Sequence, residues 1–197
     1  MSTKYYKTKW DGLTRQEKYD LAKEQENELA KFLINKCSFR EIIPTRDSII
    51  TMSSEQNLIL PDLMGIQNND IECFIELKHK NRRMSYNDNG IDYDKAESYL
   101  KIQKRLNKRV LIVFIDDKNE WLEKYPYIDS WFKDENDNCT YYGNWIDKLH
   151  KETPENSVTI TNGVGDKKVK CFPLKNMLKI EEIFKERQST LNFNIIN

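Results

Sequence analysis

Apolar and polar positions alternate most clearly between Leu58 and Lys80. Two apolar-alternating runs flank the polar turn Gln67-Asn68-Asn69-Asp70, a pattern that predicts a β-hairpin. Side chains alternate along a strand, so Glu76 and Lys78 share one face of the second run. Cys73, Ile75 and Leu77 take the other face, which is apolar enough to be core. Upstream, Thr14 with Glu17 forms a capping-box signature for a helix running to about Lys36. Its apolar stripe is Leu21, Ala22, Leu29, Phe32 and Leu33, with Gln25 and Glu28 on the same stripe. A carboxylate on a buried helix face needs compensation. Phe39–Pro44 and Ser48–Met52 are short β-type runs. Asn81–Gly90 has loop composition, and Tyr93–Asn107 reads as a helix with Ala96, Tyr99, Leu100, Gln103 and Leu106 on one stripe. Arg109–Asp116 is β-branched and continuously apolar, as for a strand buried on both faces. This order predicts an α/β fold with a parallel crossover into that strand.

The signal weakens beyond Asp117. Trp121, Tyr125, Tyr127, Trp131 and Phe132 mark an aromatic segment, and Tyr141–Lys148 fits either a short strand or a short helix. Ser157–Asn162 and Lys167–Phe172 predict a second hairpin, and Leu174–Arg187 a final basic helix opened by Pro173. No repeat or linker divides the chain, so residues 1–197 are expected to form a single domain. Formal net charge is zero, so nucleic-acid binding would have to use local basic segments such as Lys80, Arg82 and Arg83. No apolar run reaches membrane-spanning length, and the start of the chain lacks a signal-peptide core, so a cytoplasmic location is expected. Cys37, Cys73, Cys139 and Cys171 form no CxxC pair, which argues against structural zinc and for free thiols.

The hairpin imposes a geometric condition. With Asn68-Asn69 as a regular two-residue turn, residue 62 faces residue 75, and Asp62 and Glu76 fall on opposite faces of the sheet. They share a face only if an odd-length loop or a bulge shifts the register by one. Gly65 is a natural place for that irregularity.

Pro61-Asp62 followed by Glu76-Leu77-Lys78 resembles the signature of the PD-(D/E)XK nuclease superfamily. The resemblance covers roughly Thr14–Asp116. It implies a restriction endonuclease-like core, a mixed central sheet flanked by helices in the order α-β-β-β-α-β. Residues 117–197 would be a C-terminal extension containing a hairpin and a final helix. It implies Mg²⁺, for which Mn²⁺ can substitute, held by Asp62, Glu76, the Leu77 carbonyl and the helix acid Glu28, with Glu24 as the competing choice. Lys78 would position the attacking water, and Gln103, with Lys95 beside it in the same role, would be the polar residue of the second helix. The implied activity is DNA hydrolysis by a homodimeric endonuclease of restriction, junction-resolving or phage DNA-processing type. Two other classes stay open: a nucleic-acid-binding module of the same fold without cleavage, and a structural or interaction protein on which Glu76 and Lys78 are surface residues.

Overall fold

The computed structural model describes residues 12–45, 49–51, 57–79, 88–115, 141–152, 157–162 and 165–185. Helix α1 (Arg15–Cys37) starts at the expected capping box. The Thr14 side chain accepts from the Glu17 amide at 3.2 Å, and Glu17 Oε2 accepts from the Thr14 amide at 2.7 Å. The face that α1 buries is Gln25, Glu26, Leu29, Leu33 and Cys37.

Strands β1 (Glu41–Pro44), β4 (Leu63–Gln67) and β5 (Asp70–His79) form an antiparallel meander. Between β1 and β4 a separate pair, β2 (Ile49–Thr51) and β3 (Asn57–Ile59), makes a small sheet of its own. Leu58 therefore belongs to this side hairpin, and the main hairpin spans only Leu63 to His79. After β5 come β6 (Asp88–Asp92), α2 (Tyr93–Leu106) and β7 (Arg109–Ile115), and β7 lies parallel to β5. Next are β8 (Tyr142–Trp145), α3 (Ile146–Glu152), β9 (Ser157–Asn162), β10 (Gly165–Pro173) and β11 (Leu178–Lys179). The main sheet has the order β1-β4-β5-β7-β8-β11, and a second sheet has the order β6-β10-β9. The fold is thus a mixed central sheet flanked by helices, with the expected α-β-β-β-α-β order running through α1, β1, β4, β5, α2 and β7.

Three expectations change. Asp88, Asn89 and Gly90 lie in β6 rather than a loop, because β10 supplies a partner from far along the chain. The Leu174–Arg187 helix is interrupted, since Leu178 and Lys179 pair with Gly143 and Tyr142, and among the described residues the helix after them is 180–185. Tyr141–Lys148 is neither strand nor helix alone: β8 passes directly into α3. The second hairpin forms as β9 and β10. The aromatic segment around Trp121 and Trp131 lies outside the described residues, as does Cys139.

The core has two layers. Phe74, Val110, Ile112, Phe114 and Tyr142 pack against Ala96, Tyr99 and Ile102 of α2 and against α3. On the opposite face Cys73, Ile75, Leu77, Leu111 and Val113 pack against Leu29, Leu33 and Cys37 of α1. β7 is buried on both sides, as its composition predicts. Cys37, Cys73 and Cys171 are buried free thiols, and burial pushes the Cys37 thiol up to about 12. Among the described residues no helix is long and apolar enough to cross a membrane.

Two glycines permit close approaches in this sheet. A Cβ at Gly65 would collide with the buried Phe39 ring, and one at Gly143 with the Ile112 carbonyl oxygen. A ring can shift more readily than a strand backbone. Gly143→Ala is therefore expected to destabilise the protein by more than Gly65→Ala, each by about 1–3 kcal/mol or more in urea unfolding. Equal or negligible losses would contradict these contacts.

Candidate active site

The turn between β4 and β5 does contain two residues, Asn68 and Asn69, at φ 52° and 64°. Such left-handed pairs form the hairpin turn whose twist matches the flanking strands. The hairpin is nonetheless irregular. Ile66 pairs with Ile71 but Gly65 pairs with Cys73, so Glu72 is an extra residue on the second strand. Leu63 then lies opposite Ile75, and one further step places Asp62 across from Glu76. The register shift that lets Asp62 and Glu76 share a face is present at Gly65, with the inserted residue on β5.

Asp62 sits in the bend just before β4 rather than on the strand. Its backbone carbonyl accepts from the Thr45 amide at 2.9 Å, and the Thr45 hydroxyl donates to the Pro61 carbonyl. The end of β1 thus clamps the Pro61-Asp62 peptide. The Asp62 carboxylate turns toward β5 and its Oδ2 accepts from the Leu77 amide at 3.0 Å.

Glu76 lies between β4 and β7 with no solvent exposure, among the apolar residues of the α2 layer. Burial works against its charge, but Lys78 and Lys95 outweigh that cost and hold its pKa below the ordinary carboxylate value. Both ammonium groups reach the same oxygen, Oε1: Lys78 in close contact and Lys95 at 3.1 Å. The buried Tyr99 hydroxyl, which has no hydrogen-bond partner among the described residues, favours the charged form of the same carboxylate. Oε2 has no hydrogen-bond partner among the described residues. Lys78 is itself largely buried; burial opposes its charge, and the carboxylates of Glu76 and Asp62 raise its pKa.

Asp62 behaves differently. Burial and the neighbouring Glu76 charge push its pKa up to about 7, against the opposing pull of Lys78 and the Leu77 amide, and Glu26 adds to the rise. Glu26 is the carboxylate on the buried face of α1. Glu28 and Glu24 are exposed and line a shallow hollow on the outer side of α1 with Lys23 and Lys31. The Glu28 charge acts instead on Tyr141, whose phenol burial and Glu28 together push up to about 12. Both helix acids considered from sequence therefore point away from Asp62, and the acid whose field reaches Asp62 is Glu26.

Gln103 is also elsewhere. Its Oε1 accepts from the Val110 amide at 3.2 Å, at the start of β7, because the short turn after α2 leaves that amide within reach. The α2 side chains that reach the site are Lys95 and, one turn on, Tyr99. Tyr99 read as core from sequence, and it is core; its hydroxyl is what joins it to the site. Lys80, Arg82 and Arg83 lie outside the described residues.

Among the described residues no three His, Cys, Asp or Glu side chains converge as a ready metal cage. A hard divalent cation does not need one, since it keeps several waters and takes carbonyl oxygens. The bare Glu76 Oε2, the crowding of Asp62 against Glu76 and the adjacent Leu77 backbone fit such an ion.

Two solved structures are similar to the chain. One is a Holliday junction resolvase, Hjc, from the hyperthermophile Archaeoglobus fulgidus, with a TM-score of 0.45 and 11% identity, covering 82% of this chain and 98% of that one. The other is D212, a nuclease from a fusselovirus, with a TM-score of 0.44 and 14% identity, covering 91% and 94%. No protein-family model and no curated protein sequence matches the chain.

The Asp62 shift has a consequence for stability. An aspartate ionises near 3.9 when unfolded, and here near 7 when folded. Between those values the folded state binds more protons, so stability falls as pH rises, and above pH 7 the full cost remains. With EDTA at pH 8, Asp62→Asn is expected to stabilise the protein by roughly 2 kcal/mol. The gain should shrink as pH falls below 7 and vanish near pH 4. A destabilised Asp62→Asn protein at pH 8 would contradict the buried, crowded carboxylate.

Proposed function

We propose that the protein is a divalent-metal-dependent nuclease that hydrolyses phosphodiester bonds in DNA. The observation that carries this reading is the bulge that brings Asp62 opposite Glu76, whose Oε1 is held by Lys78 and Lys95 and whose Oε2 has no hydrogen-bond partner among the described residues.

In this reading Asp62, Glu76 and the Leu77 carbonyl hold Mg²⁺ or Mn²⁺, and Glu26 of α1 supplies a further carboxylate in place of Glu28. When bound, the cation lowers the pKa of water and offsets negative charge on the phosphate. Asp62, in a bend held by Thr45 and by the Leu77 amide, and Glu76, on the neighbouring β5, would fix the reacting groups from a backbone that is hydrogen-bonded on both sides. Lys78, anchored by Glu76, directs its ammonium at the attacking water and stabilises the anionic charge that develops during displacement. Water oxygen bonds to phosphorus, the bond from phosphorus to the leaving oxygen breaks, and that oxygen takes up a proton. Lys80, Arg82 and Arg83, which follow β5 directly in sequence, are proposed to meet the backbone phosphates. One site per chain suits one strand, so cutting a duplex calls for two chains.

Nicking of supercoiled plasmid and cleavage of four-way-junction and single-stranded DNA, with Mg²⁺ and with EDTA, test the reading. Metal-dependent cleavage is expected, reduced about a hundredfold or more in Asp62→Ala, Glu76→Gln and Lys78→Ala. Glu26→Gln should cost far more than Glu28→Gln. Absence of EDTA-sensitive cleavage on all three substrates would sink the proposal, and a dominant Glu28 effect would restore the other helix acid.

A further inference from the structure

Lys95 is a second cation on a carboxylate that already has one. It stands in the first turn of α2, where the helix dipole disfavours a cation. Its Nζ nevertheless lies 3.1 Å from Glu76 Oε1, an oxygen already held by Lys78. Two ammonium groups thus crowd one oxygen while Oε2 has none. The two lysines also differ in freedom. The Lys78 side chain is 17% exposed and is anchored on the central strand, whereas that of Lys95 is 36% exposed at the rim of the site.

Building on the metal-dependent nuclease reading, we propose that Lys95 is a resident counter-ion of the metal-free site, displaced when a divalent cation binds and redirected onto the scissile phosphate. A buried carboxylate beside a second acid cannot stay ionised without positive charge close by. Lys95 supplies that charge from the solvent side. A divalent cation on the free side of Glu76 meets the same need with twice the charge and repels the ammonium. Lys78 is the more buried of the two and in closer contact with Glu76, so Lys95 is the one that moves. Its long, half-exposed stem lets the ammonium swing outward, toward the open side from which an anionic substrate enters. A single side chain then competes with the metal before substrate arrives and assists the substrate afterwards.

The two halves predict effects of opposite sign. Mn²⁺ is titrated by calorimetry at pH 8 into full-length, DNA-free wild-type protein and into Lys95→Met and Lys95→Gln. Both variants should bind Mn²⁺ about three- to tenfold more tightly, since one repelling charge is gone. Their cleavage at saturating Mn²⁺ should nevertheless fall about tenfold or more, with Lys95→Arg recovering most of the loss. Unchanged or weaker Mn²⁺ binding in both variants, with far-UV circular dichroism like that of wild type, overturns the counter-ion role. Undiminished cleavage at saturating Mn²⁺ overturns the phosphate role. Wild-type protein that binds no Mn²⁺, or binds it equally well as Glu76→Gln, overturns the metal-nuclease reading on which both depend.

Discussion

A carboxylate with no solvent exposure in the middle of a sheet is the constraint around which this molecule is arranged. Ile112 lies beside Glu76 on β7, and the surrounding layer is apolar. In such a medium an isolated negative charge would neutralise itself by taking up a proton. Lys78 and Lys95 prevent that, and each comes from a different element, one from the same strand and one from α2. The charge is therefore tied to the docking of α2 against the sheet. Asp62 bears the reverse effect: its burial and the Glu76 charge beside it disfavour its ionised form and outweigh the pull of Lys78. Two neighbouring acids with opposite shifts are what a site gains when only one of them has its counter-charge at hand.

The alternation of Ile71–Lys80 and the continuous apolar run of β7 made the centre of the fold legible, because both depend on local periodicity. The bulge was legible for a different reason. Parity alone required an inserted residue for Asp62 to meet Glu76, and Glu72 is that residue. Two peripheral strands, β6 and β11, were not legible. β6 is rich in Asp, Asn and Gly, and β11 is two residues long; each exists because a distant strand offers it hydrogen bonds. Propensity cannot register a partner about eighty residues away.

The helix acid shows how a small error of phase propagates. Leu21 and Phe32 are only partly buried, and taking them as anchors rotates the stripe of α1 toward Glu28. Cys37 is the better anchor. It lies eleven residues after Glu26, three turns with about 20° left over, and Leu33 lies seven residues after it, about 20° short of two turns. Both are fully or nearly fully buried. Gln103 failed for a related reason. Sharing a stripe with Ala96 says which face a residue takes, but not how far along the helix axis it lies from Asp62 and Glu76, and Gln103 ends at the first residues of β7. Lys95 and Tyr99, two turns and one turn earlier, are at the right height.

β7 carries five consecutive fully buried residues, Val110 to Phe114, and its two hydrogen-bonding edges are covered by segments from opposite ends of the chain order. β5 covers one edge early; β8 covers the other only after a further 26 residues have been made. During synthesis, or in any fragment ending near residue 116, the most apolar strand of the protein would present an open ladder of amide and carbonyl groups. Such an edge pairs with whatever strand it meets, including another copy of itself. The C-terminal third, where sequence showed least, supplies the strand that closes this edge once it is made.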